Sequence, residues 1–435
     1  MKRTALVAVA AAALASAGLA LGAGASQGCG TYSGRGCAPA GARVDLARPS
    51  FTNPTRITNP LFSIGRLRSA VLLGRAEGKA FRSETTLLPG TSSVVWNGRR
   101  IRVRLSQYMA FTDGRLEEVA LDRYAQADDG SVWYLGEDVA DYRNGTAYTT
   151  EGTWLAGRDG PPAMIMPARP RVGDVFRTEN VPGVVFEEVT VKGVNETVRG
   201  PHGPVRGAMV GSELHLDGSR SPKTFAPGYG EFLTLEGHDV EALALAAPID
   251  RLPGPVPASL SGLVTGAFGI LEDTRVDDRE AASSTAARLR ALWPAVREVS
   301  PPLIEPLLRE KLTALDAAVR GHRAARTAQL AIDVARFALD LELRYRPVAA
   351  VDVERFHLWT QQLRVDAASG RRADVEGDMA TLEWVRDRIA AALPPGRLRR
   401  LDAGLEALRT ATTVHDLPAA ADEAARLGAL VRRSA

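Results

Sequence analysis

The sequence predicts an α+β protein: an N-terminal antiparallel β domain, drawn as a folded sheet or half-barrel, followed by an all-α antiparallel helical bundle. Three observations lead there. Only 6 of the 41 glycines lie beyond residue 274. Before that point, short apolar runs are interrupted every ~8–12 residues by Gly, Pro, Asn or Asp, the punctuation of antiparallel strands. After residue 276, apolar side chains recur at helical spacing, as in Leu330, Val334, Phe337, Leu341 and Tyr345, or Leu382, Val385, Ile389 and Leu393.

Taken in order, residues 1–25, "MKRTALVAVAAAALASAGLALGAGA", read as a secretory signal peptide. Lys2 and Arg3 precede an apolar stretch that ends in an Ala-Gly-Ala cleavage pattern. Residues 26–50 read as a disordered tail. Their two cysteines, Cys29 and Cys37, suit a small disulfide loop in an oxidising compartment. The alternative is lipidation of Cys29.

The β domain is placed at 51–247, with strands expected at 69–75, 82–88, 92–96, 100–108, 116–125, 131–138, 146–151, 184–198, 205–216 and 229–236. "WNGR", "TDGR", "DDGS", "RNGT" and "LDGS" supply the Asn-Gly and Asp-Gly steps that tight hairpins use. Residues 248–275 open with "PIDRLPGPVPASLSG" and read as a Pro-rich linker. The bundle follows at 276–435, as about six or seven helices of ~15–22 residues.

The densest stretch is "YAQADDGSVWYLGEDVADY", 124–142. A two-residue turn at Asp129-Gly130 sets Tyr124 opposite Leu135, Gln126 opposite Trp133 and Asp122 opposite Glu137. Tyr124, Gln126, Trp133 and Glu137 then share one face and form the candidate ligand surface, of a kind that takes sugars or cations. On the other face Arg123 reaches Asp138. The competing reading is a structural hairpin with aromatic cross-strand pairs.

That stretch, with "FTNPTRITNPLFSI" (51–64), "TEGTWLAGRDGPPAMIMPARPRVGDVF" (150–176) and "KTFAPGYGEF" (223–232), resembles a family of bacterial, actinobacterial-type, secreted proteins and lipoproteins. The resemblance covers residues 51–236 and departs at Tyr229, where the family more often has an aliphatic residue. It implies an exported β domain and no particular activity.

In the helical half, Glu354 and His357 form a single E-x-x-H pair. With Asp340 they are the candidate metal ligands, although carboxylate-bridged di-metal bundles need two such pairs. The competing reading is a solvated pair on an amphipathic helix. Asp340, Arg344, Asp366, Asp378, Glu383 and Arg386 read as ion pairs between helices.

Catalytic templates are missing: no G-x-S-x-G elbow, no Walker loop, no H-E-x-x-H. A net charge of +3 without a basic aromatic stripe argues against nucleic acid. The expectation is an exported cell-envelope protein, non-enzymatic and without a cofactor, that binds a small ligand or an envelope protein. Its membrane contact would run only through the signal peptide or a lipidated Cys29. The alternatives are metal binding by the helical half and an envelope polysaccharide hydrolase using Glu137 with Asp138 or Glu151.

Overall fold

The computed structural model describes residues 37–432 except residue 182. The signal peptide, Cys29 and residues 26–36 lie outside the described residues. The fold is α+β, with a large antiparallel sheet followed by helices. The chain divides into two compact units, 1–141 with 148–243, and 142–147 with 244–435.

Among the described residues the sheet has fifteen strands, nearly all of them within the first unit. They are β1 (Ser69–Ala76), β2 (Lys79–Leu87), β3 (Ser92–Trp96), β4 (Arg99–Thr112), β5 (Arg115–Gln126), β6 (Val132–Arg143), β7 (Thr146–Thr149), β8 (Trp154–Leu155), β9 (Ala163–Met166), β10 (Val175–Val181), β11 (Val185–Gly200), β12 (Gly203–His215), β13 (Arg220–Ala226), β14 (Gly230–Glu236) and β15 (Asp239–Ala247). The main path runs β10-β11-β12-β13-β14-β15-β1-β2-β4-β5-β6-β7, with β3 added to β4 and β8 and β9 to β6. Two meanders are therefore joined by one non-local pairing, β15 with β1. Gly74 marks that seam, because a Cβ there would overlap the Val240 carbonyl oxygen.

The path is open, yet its ends approach each other. Glu137 of β6 pairs with Trp154 of β8. The Trp154 indole Nε1 donates to Glu179 Oε1 on β10, 3.2 Å away. The sheet is thus curled, with one face turned inward.

Strands β8, β9, β10, β13 and β15 lie outside the strands expected from sequence. "VFRTENV" is polar because its inward positions are polar, and "DVEALALAA" is alanine-rich, a composition that favours helix. Residues 37–50 are also not a free tail. The Val44 amide donates to the Val175 carbonyl (2.8 Å), and the Ala38 amide to Glu188 Oε1 (2.7 Å). This segment covers backbone groups of the edge strand β10.

Among the described residues the second unit holds eight helices: α1 (Ala258–Arg275), α2 (Arg279–Glu298), α3 (Ile304–Arg320), α4 (Ala324–Glu342), α5 (Val348–Ala368), α6 (Arg372–Ile389), α7 (Pro395–Thr413) and α8 (Leu417–Arg432). Both stripes named above are buried at most positions, including Leu330, Val334, Leu341, Leu382, Val385 and Ile389. Residues 258–275, expected as the end of the linker, form α1. Leu260, Leu263, Val264, Ala267, Ile270 and Leu271 supply its buried stripe. Gly262 and Gly266 admit Leu292 and Leu289 of α2, where a Cβ would collide. No helix among the described residues is long and apolar enough to cross a membrane.

Candidate functional site

The 124–142 hairpin carries the first residues of the candidate site. Asp122 lies opposite Glu137 as expected, but Tyr124 lies opposite Tyr134 and Ala125 opposite Trp133. The loop has three residues rather than two, since the Ala127 amide donates to the Ser131 carbonyl (2.8 Å) and Gly130 takes φ +94°. That loop type brings a one-residue offset. The offset is absorbed at the irregularity between Asp122 and Tyr124, beside Gly136 at φ +118°.

One slipped residue moves a side chain to the other face. Trp133 therefore does not share a face with Tyr124, and the expected four-residue surface does not form. Trp133 is buried and its Nε1 donates to Ser131 Oγ (2.8 Å), which donates in turn to Asp129 Oδ1 (2.6 Å). Gln126 is structural: its Oε1 accepts from the amides of Thr58 (2.6 Å) and Asn59 (2.9 Å). Asp128 accepts from Ser50 Oγ, the Thr52 amide and Thr52 Oγ1 at 2.6–2.8 Å. The acidic turn thus holds the strap 50–59, and three of the segments that carry the family resemblance pack together here. The Asn59 Nδ2 completes this by donating to the carbonyls of Gly130 (3.1 Å) and Pro167 (2.9 Å). Arg123 does pair with Asp138.

Tyr124 and Glu137 do belong to a common site, on the inward face. Tyr124 stacks on Tyr134 with ring centroids 4.8 Å apart, and Tyr134 meets Trp154 edge-on at 5.4 Å. Phe62 closes the other side of Tyr124 at 4.8 Å. Against this aromatic wall lie three buried carboxyls, Asp122, Glu137 and Glu179. The Tyr134 hydroxyl donates to Asp122 Oδ1 (2.8 Å). Burial pushes Asp122 up to about 6, against the pull of the Tyr134 and Tyr124 hydroxyls. Burial pushes Glu137 up to about 7, although its hydrogen bond with Glu179 pulls it down. Burial and then the charge of Glu137 raise Glu179 well above the carboxylate range. Both carboxyls are thus held toward the protonated form, and Glu137 Oε1 has no hydrogen-bond partner.

The same face continues around the sheet. Cross-strand partners share a face, and the register runs Glu187–His215, Glu213–Ser221, Lys223–Thr234 and Thr234–Glu241. Glu241 accepts from Ser83 Oγ on β2. Ser106 and Ala110 of β4 then carry the face to Asp122 and Glu118. Burial, with the charges of Asp141 and Glu137, holds Glu118 well above its usual range. A sheet interior that would ordinarily be apolar is here lined with carboxyls, and burial raises several of them, among them Glu118, Glu179 and Glu241, well above the ordinary carboxylate range.

Sequence reading found two of these residues and missed Glu179, Glu187, Glu213 and His215, which come from strands far apart in the chain. One local signal was present. "ELH", 213–215, places Glu and His two apart in a strand, and therefore on one face.

The helical candidates do not come together. Asp340 is fully buried in α4 and bonds to Arg355 (2.8 Å), which also holds Asp352 (3.1 Å). His357 is buried rather than solvated, because α5 is covered by α4, α6 and α8. Its ring lies 4.8 Å from that of Phe268. Burial, then Arg432 and Arg364, pull it down to about 3, so it stays neutral. Glu354 is half-buried and raised by burial. Arg386 pairs with Asp402 and Glu383 with Arg409, so the expected interhelical cluster is divided among other partners.

For the hydrolase alternative, Asp138 points outward and Glu151 is exposed in a turn, so neither faces Glu137. Cys37 is not a free thiol and packs beside Phe186 and Leu214. Its expected partner, Cys29, lies outside the described residues.

A scan against protein-family models finds no match to this chain, and a search of curated proteins finds none either.

Proposed function

We propose that this is an exported, non-enzymatic binding protein of the bacterial cell envelope, related to the secreted family its motifs resemble. Its β unit holds a small polar ligand carrying positive charge. One observation supports this reading above others: Asp122, Glu137 and Glu179 lie together under the Tyr124–Tyr134–Trp154 wall, with Glu137 Oε1 left without a donor. A buried acceptor without a partner is costly, and a cation bound beside clustered carboxyls stabilises their ionised form, so that the proton they hold is released to solvent. Aromatic faces beside carboxylates suit ammonium groups. Export rests on the N-terminal basic, apolar and small-residue pattern of residues 1–25.

The test is a thermal-shift titration with a polyamine, a quaternary ammonium ion and a neutral disaccharide. The amines should raise the melting temperature. Glu137→Gln should abolish that rise, and Trp133→Phe, on the opposite face, should keep it. A protein indifferent to both amines, or a Glu137→Gln variant that responds like wild type, refutes the reading. N-terminal sequencing of the secreted chain should begin near residue 26, and retention of residues 1–25 contradicts cleavage.

A further inference from the structure

Among the described residues, one group of His, Cys, Asp and Glu side chains is placed to hold a metal ion: Glu187, Glu213 and His215, each offering a ligand atom within 4.8 Å of the others. They lie on β11 and β12, on the inward face, with Glu187 directly opposite His215.

What distinguishes the group from a routine ion pair is the pattern of outer hydrogen bonds. Lys223 Nζ donates to Glu213 Oε2 (2.9 Å). Thr178 Oγ1 donates to Glu187 Oε2 (3.2 Å). Ser221 Oγ bonds His215 Nε2 (2.6 Å). Each of the three side chains is thus held by one atom from outside; of the remaining atoms, Glu213 Oε1 has no partner, and Glu187 Oε1 and His215 Nδ1 face only each other, in a contact that a bound ion would replace. Glu187 Oε1 and His215 Nδ1 are 3.5 Å apart. Two ligands ~2.1 Å from a tetrahedral ion stand about 3.4 Å apart. Glu213 is only 1 % exposed, and its Oε1 accepts no hydrogen bond. Outer partners that orient each ligand and leave its other atom directed inward are the usual surroundings of a metal site.

We propose that Glu187, Glu213 and His215 form a mononuclear site for a borderline divalent cation such as Zn²⁺, with three protein ligands and the remaining position open to water. Two carboxylates and one imidazole suit zinc better than calcium, which takes six to eight oxygens. Lys223 stays as the outer partner of Glu213 and offsets part of the negative charge. The site borders the Asp122–Glu137–Glu179 cluster, since Glu187 stands opposite Glu179 across β10 and β11, but it shares no residue with it, and the proposal does not rest on the ligand reading above.

The experiment uses the untagged full chain, stripped with a chelator and titrated with Zn²⁺ by calorimetry. One equivalent should bind. His215→Ala and Glu213→Gln should each weaken binding by more than ~100-fold, and Ser221→Ala by ~10-fold, as expected for an outer partner. Zinc-edge X-ray absorption of the wild-type complex needs no variant. It should give an all-nitrogen-and-oxygen shell with one imidazole. Less than about a tenth of an equivalent bound overturns the proposal. So does a folded His215→Ala protein that binds like wild type, or sulfur in the shell, which would place the ion on the cysteines.

Discussion

Replacing Glu241 with Gln should remove much of the loss of stability that the β unit suffers as pH rises. Glu241 is 3 % exposed, and burial, reinforced by the charge of Glu231, pushes its carboxyl from 4.5 up to about 8. In the unfolded chain a glutamate ionises near pH 4.3. Between these values the folded protein holds one proton that the unfolded chain has lost. Unfolding free energy therefore falls by about 1.4 kcal/mol for each pH unit of increase. The contribution of Glu241 is complete in acid and declines through the interval up to pH 8, by about 4 kcal/mol between pH 5 and pH 8. Gln cannot ionise and can still bond Ser83. At pH 5 the variant should lie within ~1 kcal/mol of wild type. At pH 8 it should be the more stable by on the order of 3 kcal/mol. Urea melts followed by far-UV circular dichroism at pH 5, 6, 7 and 8 measure the difference. Two stability profiles that run parallel across this range would refute the assignment of a retained proton to Glu241.

Four further substitutions probe packing and pairing. Arg355→Ala removes the guanidinium that bonds Asp340 and Asp352 in the bundle interior, and urea melts should show a loss of about 3–5 kcal/mol. Gly428→Ala sets a Cβ 2.6 Å from Thr360 Oγ1 and 2.8 Å from His357 Nδ1, so α8 must shift from α5. A cost of about 1–3 kcal/mol is expected, and an unchanged melt would show that the two helices separate freely. Gly74→Ala drives a methyl into the Val240 carbonyl at the seam of the sheet. It should leave little soluble protein, whereas Gly78→Ala, with open space but φ +76°, should cost only about 1 kcal/mol.

The fold class was legible because glycine usage and apolar period change together near residue 275. Strands with apolar positions facing one side and hairpin dipeptides at their ends, such as β1 to β6, could be read directly. Among the hidden strands, β8 and β9 are very short, β15 is alanine-rich, and β10 and β13 carry ionisable residues inward. In β10 and β13 the side chains that should mark the core are Glu179 and Lys223, so the alternation reads as surface. The candidate site was half legible for the same reason. Tyr124 and Glu137 were expected on one face and do share it because they sit in one hairpin, although Tyr124 stands opposite Tyr134 rather than Leu135, and Trp133 was misplaced by a single offset residue that depends on loop geometry. Glu179 reaches Glu137 only through the curl of the whole sheet, which no local pattern records. In the bundle, Glu354 and His357 carried a recognisable spacing, but the spacing says nothing about what stands opposite, and there Phe268 does.

The seam between β15 and β1 also bears on how the chain reaches its native state. Each meander can assemble from neighbours close in sequence, so most pairings need little loop closure. The seam alone joins residues near 74 to residues near 240, and it cannot form until nearly the whole β unit has left the ribosome. Contacts of such long sequence separation slow folding. Until the seam closes, β1 and β15 each present an unpaired edge, and the interval before closure is when this chain is most open to mispairing with another copy of itself.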